Sequence, residues 1–534
     1  KAFEILANAS FRKQWLNLHA QCEYATIFQH PSYVETWYKT YRNICQPVLV
    51  ISRTKGEIIN GLWFLTYDKA TKKLEHAGTN QAEYQVWITT KGYETEFLSE
   101  SWNLLKLELD FHELQLKYLP GDYLFKYLQT SESTKKLVVG RQYKRPFLTI
   151  NENTIRDLFS AKKRRKIAKF EKIGKAEFVR VKTIEEFDAI FGQLVDFYDF
   201  RIGALKHIIP FRADRFKREF HRNLFLSDSE NIILTVTYLD GQPVAGVFSG
   251  LSKNTYCFLL LMHAPFLNKY SPGYVHVLQF CQFANNENIE KIDFTPGGDS
   301  WKDRFSTDSD QVVYAIIYKS KLRQVWAQLK ISIREGVRNI FSKFGINISR
   351  AKNSISSAFC YFKALISERS FSRHSKLQRF ECPREGIVAL KLTRKVYKIK
   401  ENSINDILSF MPDARASERC EFFSKIYGLI EAGAVSYTVT EENCLLANVW
   451  AINNRVTVKT GEGGPNQLPS ESTALLDLYF NHEKLTGEEA TAILINVLKR
   501  ILLASENEKI YAIVEPENLM AINVIKSLNF KRKV

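Results

Sequence analysis

The sequence predicts an α/β (α+β) chain in which one structural unit, a mixed and largely antiparallel sheet flanked by helices, is used three times. Three observations carry this. A chain of 534 residues is too long for a single core. Its composition, 45% hydrophobic and 13% aromatic, is that of a globular protein rather than a disordered one. Strand–turn–strand meanders of similar pattern recur near the start, in the middle and near the end.

The first meander is "PVLVIS", a turn at Lys55-Gly56 and "IINGLWFLTY". The middle one is the most legible. There "NIILTVTYL" reads as a strand, Asp240-Gly241 as a tight turn, "PVAGVFSGL" as a second strand, Ser252 to Asn254 as another turn, and "TYCFLLLM" as a third strand. A helix opening at Ser271 follows, then the short strand "IEKIDF" and the Gly-rich loop "TPGGDSWKDRF". A meander that feeds a helix and returns as a parallel strand leaves a topological switch where two strands can part, and ligands gather at such points. The last meander is "AVSYTVT", "LLANVWAI" and "RVTVKTG", with turns at Glu441 to Asn443 and at Asn453-Asn454. After it come the strand "STALLDLYF", an amphipathic helix over Gly487 to Ala504, the strand "KIYAIVEP" and a helix from Asn518 to Leu528.

Eight cysteines are scattered, with no C-x-x-C pair and no cluster with His at metal spacing, which predicts reduced thiols in a cytosolic protein and no metal site. No apolar run approaches the roughly 18 residues of a membrane span. No signal-peptide pattern opens the sequence, which does not begin with Met. The net charge of +17 is concentrated: from Lys319 to Arg379, fourteen Lys/Arg face two acids, Glu335 and Glu368. Within that segment "QVWAQLKISIREGVRNIFSKFG" interleaves apolar residues at helical spacing with basic ones, the composition of an amphipathic helix on an anionic membrane surface. Solvated linker helices and nucleic-acid binding are the competing readings.

The helix entry "KYSPGYV" combines Ser271 to cap free N–H groups, Pro272 for the first turn and Gly273 for close approach. Such an entry is an ordinary cap or a phosphate site. Lys269 and the absence of acids favour an anion here, whereas Glu483, Glu488 and Glu489 at the corresponding helix of the last unit would repel one.

The meander, the "SPG" entry and "IDFTPGGDSWKDRF" resemble, in that order, the GNAT acyltransferase domain of the FemAB-like and CelD-like families. Upstream, "FQHPSYVETWYKTY", "GTNQAEYQVWI" (the family's strand) and "KKRRKIAKFEKIGKAEF" (its basic helix) extend the resemblance over about Phe11 to Tyr318. In the last unit, "VEPENLMAINVIKSLNF" resembles the closing motif of ordinary GNAT domains, with Asn529 where Gly is usual and without the R-x-x-G-x-G/A loop. The resemblance implies repeated GNAT-like units with splayed central strands: an N-terminal GNAT-like domain over 1–148, the acyltransferase domain over 149–318, a basic linker over 319–379 and a degenerate GNAT-like domain over 380–534.

It also implies chemistry. An amine attacks the thioester of acyl-CoA or an acyl carrier protein, so the site must take a proton, stabilise an oxyanion and release a thiolate. Cofactor contacts are expected from Met262, Ala264, Lys269, Ser271, Gly273 and Tyr274, with the backbone from Met262 to Ala264 polarising the carbonyl. His263 and His276 are the nearest groups of suitable unperturbed pKa. Asp293 or Asp299 is expected as base or amine anchor, and Lys302 as a phosphate contact. Tyr256 and Tyr274 are possible acids, and the basic cluster Lys162 to Lys166 is a solvated face or a carrier-protein contact.

The expectation is an N-acyltransferase, peripheral on the inner face of the bacterial inner membrane, acting on an amine of an envelope glycan, lipid or cell-wall precursor. A FemAB-type transferase using aminoacyl-tRNA and an inactive GNAT-fold scaffold at the membrane are the alternatives.

Overall fold

A computed structural model describes residues 1–326, 328–329, 377–390, 397–412, 418–453, 472–504 and 507–533. Most of the basic linker and the predicted strand "RVTVKTG" lie outside the described residues. The chain divides into two compact units. The first comprises Lys1–Phe191, Asp214–Met262 and Pro272–Lys352, and the second comprises Gly192–Ala213, His263–Ser271 and Asn353–Val534.

In the first unit the strands are β1 (Gln46–Arg53), β2 (Ile59–Asp68), β3 (Lys73–His76), β4 (Ile88–Thr89), β5 (Glu113–Leu119), β6 (Val138–Thr149), β7 (Ala176–Arg180), β8 (Ile232–Leu239), β9 (Gln242–Ser252), β10 (Thr255–His263), β11 (Lys291–Asp293) and β12 (Asp308–Tyr318). They form one continuous sheet in the order β1-β2-β3-β5-β12-β6-β11-β10-β9-β8-β7, with β4 paired to β2. The two hairpins of the middle meander close as the turn residues require. Asp240 and Gly241 have φ of 48° and 77°, and Lys253 and Asn254 have φ of 47° and 56°, the left-handed pair that matches strand twist.

The second unit carries β13 (Gln378–Pro383), β14 (Lys400–Glu401), β15 (Val435–Glu441), β16 (Cys444–Asn453), β17 (Ser472–Phe480), β18 (Lys509–Val514) and β19 (Lys531–Lys533), ordered β14-β15-β16-β17-β18-β13-β19. Its core packs the helix Gly487–Ala504 and the helix Leu519–Ser527 against one sheet face through residues such as Val449, Leu475, Ile493 and Ile525. The segment His263–Ser271 is held in this unit: Phe266 stacks on Trp450, and the Asn268 amide donates to the Tyr427 hydroxyl at 3.0 Å.

The same parallel crossover occurs three times. β3 pairs with β5 across the helix Glu94–Glu108, β10 with β11 across the helix Pro272–Asn286, and β17 with β18 across the helix Gly487–Ala504. Each pairing is brief. β10 runs beside β11 only from Thr255↔Lys291 to Cys257↔Asp293 and then continues to His263 without it. β17 likewise leaves β18 after Leu475↔Ala512 and continues to Phe480. These forks are the splayed central strands that the repeat predicts.

The first two copies are not separable as the sequence suggests. β6, which closes the first copy, pairs with β11 of the second, and β12, which closes the second, pairs with β5 of the first. β6 and β12 then join each other antiparallel from Asp308↔Phe147 to Ile317↔Val138. Two local readings also differ. "GTNQAEYQVWI" is a 3-10 turn, Thr79–Gln81, entered through left-handed Gly78, and only Ile88–Thr89 is strand. Ser271 does not take an extended cap conformation: it is left-handed, φ 57° and ψ 53°, because a 3-10 helix, Pro265–Tyr270, ends on it.

At the start of the linker, residues 321–326 and 328–329 are helical. Leu322, Val325, Trp326 and Leu329 are exposed there at i, i+3, i+4 and i+7, one stripe of the helix, with Leu322 76% and Trp326 63% accessible.

Because β6 lies on the far side of the predicted boundary, a fragment spanning 149–318 leaves β11 and β12 without their shared partner. We expect it to lack a cooperative urea transition, whereas a fragment spanning 1–318 retains one.

Candidate active site

A cleft of about 600 Å³ opens on one face of the first sheet, lined by residues that include Tyr24, Tyr84, Arg145, Lys253, Cys257, Lys291, Asp293 and Asp310. Strand alternation builds it. On β10, Tyr256 and Phe258 turn to the helix Pro272–Asn286, where both meet Phe280, while Thr255 and Cys257 line the cleft. On β11, Ile292 joins that core, and Lys291 and Asp293 line the cleft.

Asp293 ends β11 at the point where β10 and β11 part. Its Oδ2 accepts from the Tyr84 hydroxyl at 2.7 Å, and its Oδ1 accepts from the Thr295 N–H at 2.8 Å. The Arg145 guanidinium lies 3.7 Å from Oδ2. Arg145 is itself held by Asp310, its cross-strand neighbour, with Nε donating to Oδ1 at 2.6 Å and Nη2 donating to Oδ2. Burial pushes the Asp293 carboxyl up, and Arg145, the Tyr84 bond and the Thr295 N–H oppose it. The result is a carboxylate more basic than usual yet fixed in orientation, suited to accepting a proton from an amine. Burial also drives the Cys257 thiol well above its usual range, so it is no thiolate nucleophile.

The other residues singled out from sequence fall elsewhere. His276 is fully buried between the hydroxyls of Thr235, 3.1 Å from Nε2, and Thr237, 2.8 Å from Nδ1, and burial lowers its pKa to about 3. Its environment is that of a structural residue on the helix side of the sheet. His263 belongs to the second unit, where its Nε2 meets the Arg201 guanidinium at 2.8 Å, and burial followed by that cation lowers its pKa to about 3. Its lone pair is thereby occupied. Lys302 is buried and turned into its own loop, donating to the carbonyls of Thr295 at 3.0 Å and Pro296 at 3.2 Å, so it holds the "TPGG" turn beneath Asp293 rather than reaching over the cleft.

Met262 lies buried near the end of β10 in the first unit, as does Gly273 at the start of the crossover helix. Tyr274 packs on Phe305 at 4.7 Å, under the Lys166 ammonium. Ala264, Lys269 and Ser271 belong to the second unit. Asp299 is not among the cleft residues, and neither is Tyr256. Tyr84, Arg145 and Asp310 escaped the sequence reading because their registers join segments well over a hundred residues apart. Lys291 left a signal, the alternation Lys291-Ile292-Asp293 in a short strand.

The three copies differ where a donor would bind. The middle crossover helix has no acid in its first turn, whereas the first has Glu94 and Glu96 and the last has Glu488 and Glu489. In the last copy Glu489 accepts from the Thr486 N–H at 3.1 Å, a cap, and Asp477 near the fork is taken by Lys425 at 2.6 Å.

Residues 159–303 match the family model described as Acetyltransferase (GNAT) domain. The chain carries a GNAT acyltransferase domain. That span covers β7 to β11, the fork and Asp293. Among solved structures the chain is similar to FemX (11% identity, 59% of this chain and 98% of that one, TM-score 0.42). It is also similar to L-PGS from Bacillus licheniformis (8%, 56% and 96%, 0.35) and to a tandem GNAT protein from the clavulanic acid biosynthesis pathway (9%, 59% and 97%, 0.34). No curated protein matches the chain.

Replacing Arg145 by Leu leaves Asp293 buried without its cation. The expected loss is roughly 2–4 kcal/mol in urea denaturation, less than for a fully buried pair because Asp310 is partly solvated.

Proposed function

We propose that the GNAT domain transfers an acyl group from acyl-CoA to a primary amine at the fork of β10 and β11, with Asp293 as the base. One observation carries the reading: a carboxylate made basic by burial stands where the parallel pair opens, on the wall of the cleft. Beyond Cys257 the β10 backbone has no β11 partner, leaving room for the thioester arm and N–H groups for its carbonyl. The acid-free first turn of the middle crossover helix suits the donor's phosphates, and Gly273 admits close approach.

The amine nitrogen attacks the thioester carbonyl carbon and forms the C–N bond. Its proton passes to Asp293, the C–S bond breaks, and the CoA thiolate leaves and takes up a proton from solvent. Cys257, protonated, forms no acyl intermediate, so transfer is direct.

The resemblance to FemAB-like and CelD-like enzymes supports an acceptor on an envelope glycan, lipid or cell-wall precursor. The stripe Leu322, Val325, Trp326 and Leu329, at the head of a segment rich in Lys and Arg, supports docking on an anionic membrane surface. No described helix is long and apolar enough to cross a membrane.

The test is thiol release from acetyl-CoA and longer acyl-CoA with a panel of amines. Asp293→Asn is expected to lower kcat roughly 100-fold or more. A base must be unprotonated to act, so turnover falls as pH drops through the raised pKa of Asp293, placing the acid limb above the usual carboxylate value of about 3.9. Tyr84→Phe removes a bond that favours the ionised form and moves that limb higher still. Thiol release unaffected by Asp293→Asn would sink the assignment.

Docking is read separately, by co-sedimentation with vesicles containing phosphatidylglycerol. Trp326→Ser with Leu322→Ser should reduce the bound fraction severalfold without changing transfer to a soluble amine.

A further inference from the structure

The cleft contains two cations that the transfer chemistry does not use. Lys291 is two residues before Asp293 on β11, and its ammonium lies 3.5 Å from the centre of the Phe147 ring. Lys253 occupies the β9–β10 turn at φ 47°, two residues before Thr255, the register partner of Lys291, and its ammonium donates to the Cys22 carbonyl. Both line the cleft. Among the described residues neither has a carboxylate oxygen within 4.0 Å. Of the nearby acids, Glu23 is engaged with Lys91, Asp310 with Arg145, and Asp293 with Tyr84 and Arg145, while Asp308, which also acts on Lys291, accepts from the Ser309 N–H. Burial lowers the pKa of both lysines and outweighs the opposing pull of Asp310, Asp293 and Asp308 on Lys291 and of Glu23 on Lys253.

Partly desolvated ammonium groups on a cleft wall, without a carboxylate in direct contact, are stabilised by an incoming anion. Two point-charge donors, rather than a guanidinium fork, suit the rounded charge of a phosphate. The spacing sets what else the ligand carries. Residues i and i+2 of a strand share a face about 6.6 Å apart, so a ligand whose phosphate meets Lys291 presents a group a few bonds away to Asp293.

Resting on the acyl-transfer reading, we propose that the acceptor is a primary amine carrying a phosphate ester a few bonds from its nitrogen, the phosphate held by Lys253 and Lys291 and the amine facing Asp293. The same pair of lysines repels polyamines and other acceptors that are purely cationic. An aminoalkyl phosphate free in solution and the headgroup of an aminophospholipid share this chemistry.

The test is calorimetric titration of the full chain, without acyl donor, with O-phosphoethanolamine, ethanolamine and inorganic phosphate, and with phosphatidylethanolamine vesicles beside vesicles of phosphatidylcholine alone. O-phosphoethanolamine is expected to bind at least tenfold more tightly than ethanolamine, and Lys291→Met and Lys253→Met, each with an unchanged thermal melt, are expected to weaken it tenfold or more. Selective binding of phosphatidylethanolamine vesicles identifies the headgroup as the source, and preference for the soluble compound identifies a free metabolite. Equal binding of the two small amines, or affinity unaltered in both lysine variants, overturns the proposal. If one variant does not fold, the other decides. Thiol release from acetyl-CoA is measured in parallel. Lysine-dependent binding without thiol release from any amine upholds the phosphate site while removing the acyl-transfer reading, and release with uncharged amines but no phosphate selectivity does the reverse.

Discussion

The antiparallel ladder between β6 and β12 is the contact on which the first unit depends. Each strand closes one structural copy yet pairs with the other copy, β6 with β11 and β12 with β5, so a single sheet carries both meanders. The same ladder sets Arg145 opposite Asp310 and within reach of Asp293. Without that register the carboxylate at the fork would be buried without a compensating cation, which is costly enough to neutralise it. Fold and candidate chemistry therefore rest on the same pairing.

Two opposing effects set the character of the cleft. Burial raises Asp293 and lowers Lys253 and Lys291, pushing each toward its neutral form. Pairing counters this at Asp293, through Arg145, Tyr84 and the Thr295 N–H, whereas at the lysines the opposing carboxylates, Asp310, Asp293 and Asp308 for Lys291 and Glu23 for Lys253, act without direct contact. The cleft is thus tightly paired at Asp293 and more loosely paired at Lys253 and Lys291. Lys302 shows how a cation near a site can serve structure instead, since its ammonium is spent on two carbonyls of its own loop.

What the sequence revealed follows the range of the interactions involved. The hairpins at Asp240-Gly241 and Lys253-Asn254 depend on left-handed residues, the helix Gly487–Ala504 on its own periodicity, and all three were legible. Asp293 stood out as the polar end of a short strand. The entry to the crossover helix was located correctly, but the conformation of Ser271 depends on a 3-10 turn whose pattern is weak in "PFLNKY". Tyr84 and Arg145 could not be found, because nothing local to "AEYQV" or "YKRPF" specifies a partner at Asp293. The two histidines attracted attention for their solution pKa, a property that burial removes.

The exchanged strands also impose an order on biosynthesis. β12 begins at Asp308, well after β6 ends at Thr149, so at ribosomal rates of 5–20 residues per second the first copy waits roughly 8–30 s for the strand that pairs with its β5 and β6. During that interval β5 and β6 present open edges to other nascent chains. The composition of β6 answers the hazard: Arg141, Lys144 and Arg145 repel like strands, and Pro146 withholds a donor from any intruder. Arg145 thus guards an edge on the nascent chain and, once β12 arrives, becomes the counter-charge of a buried acid.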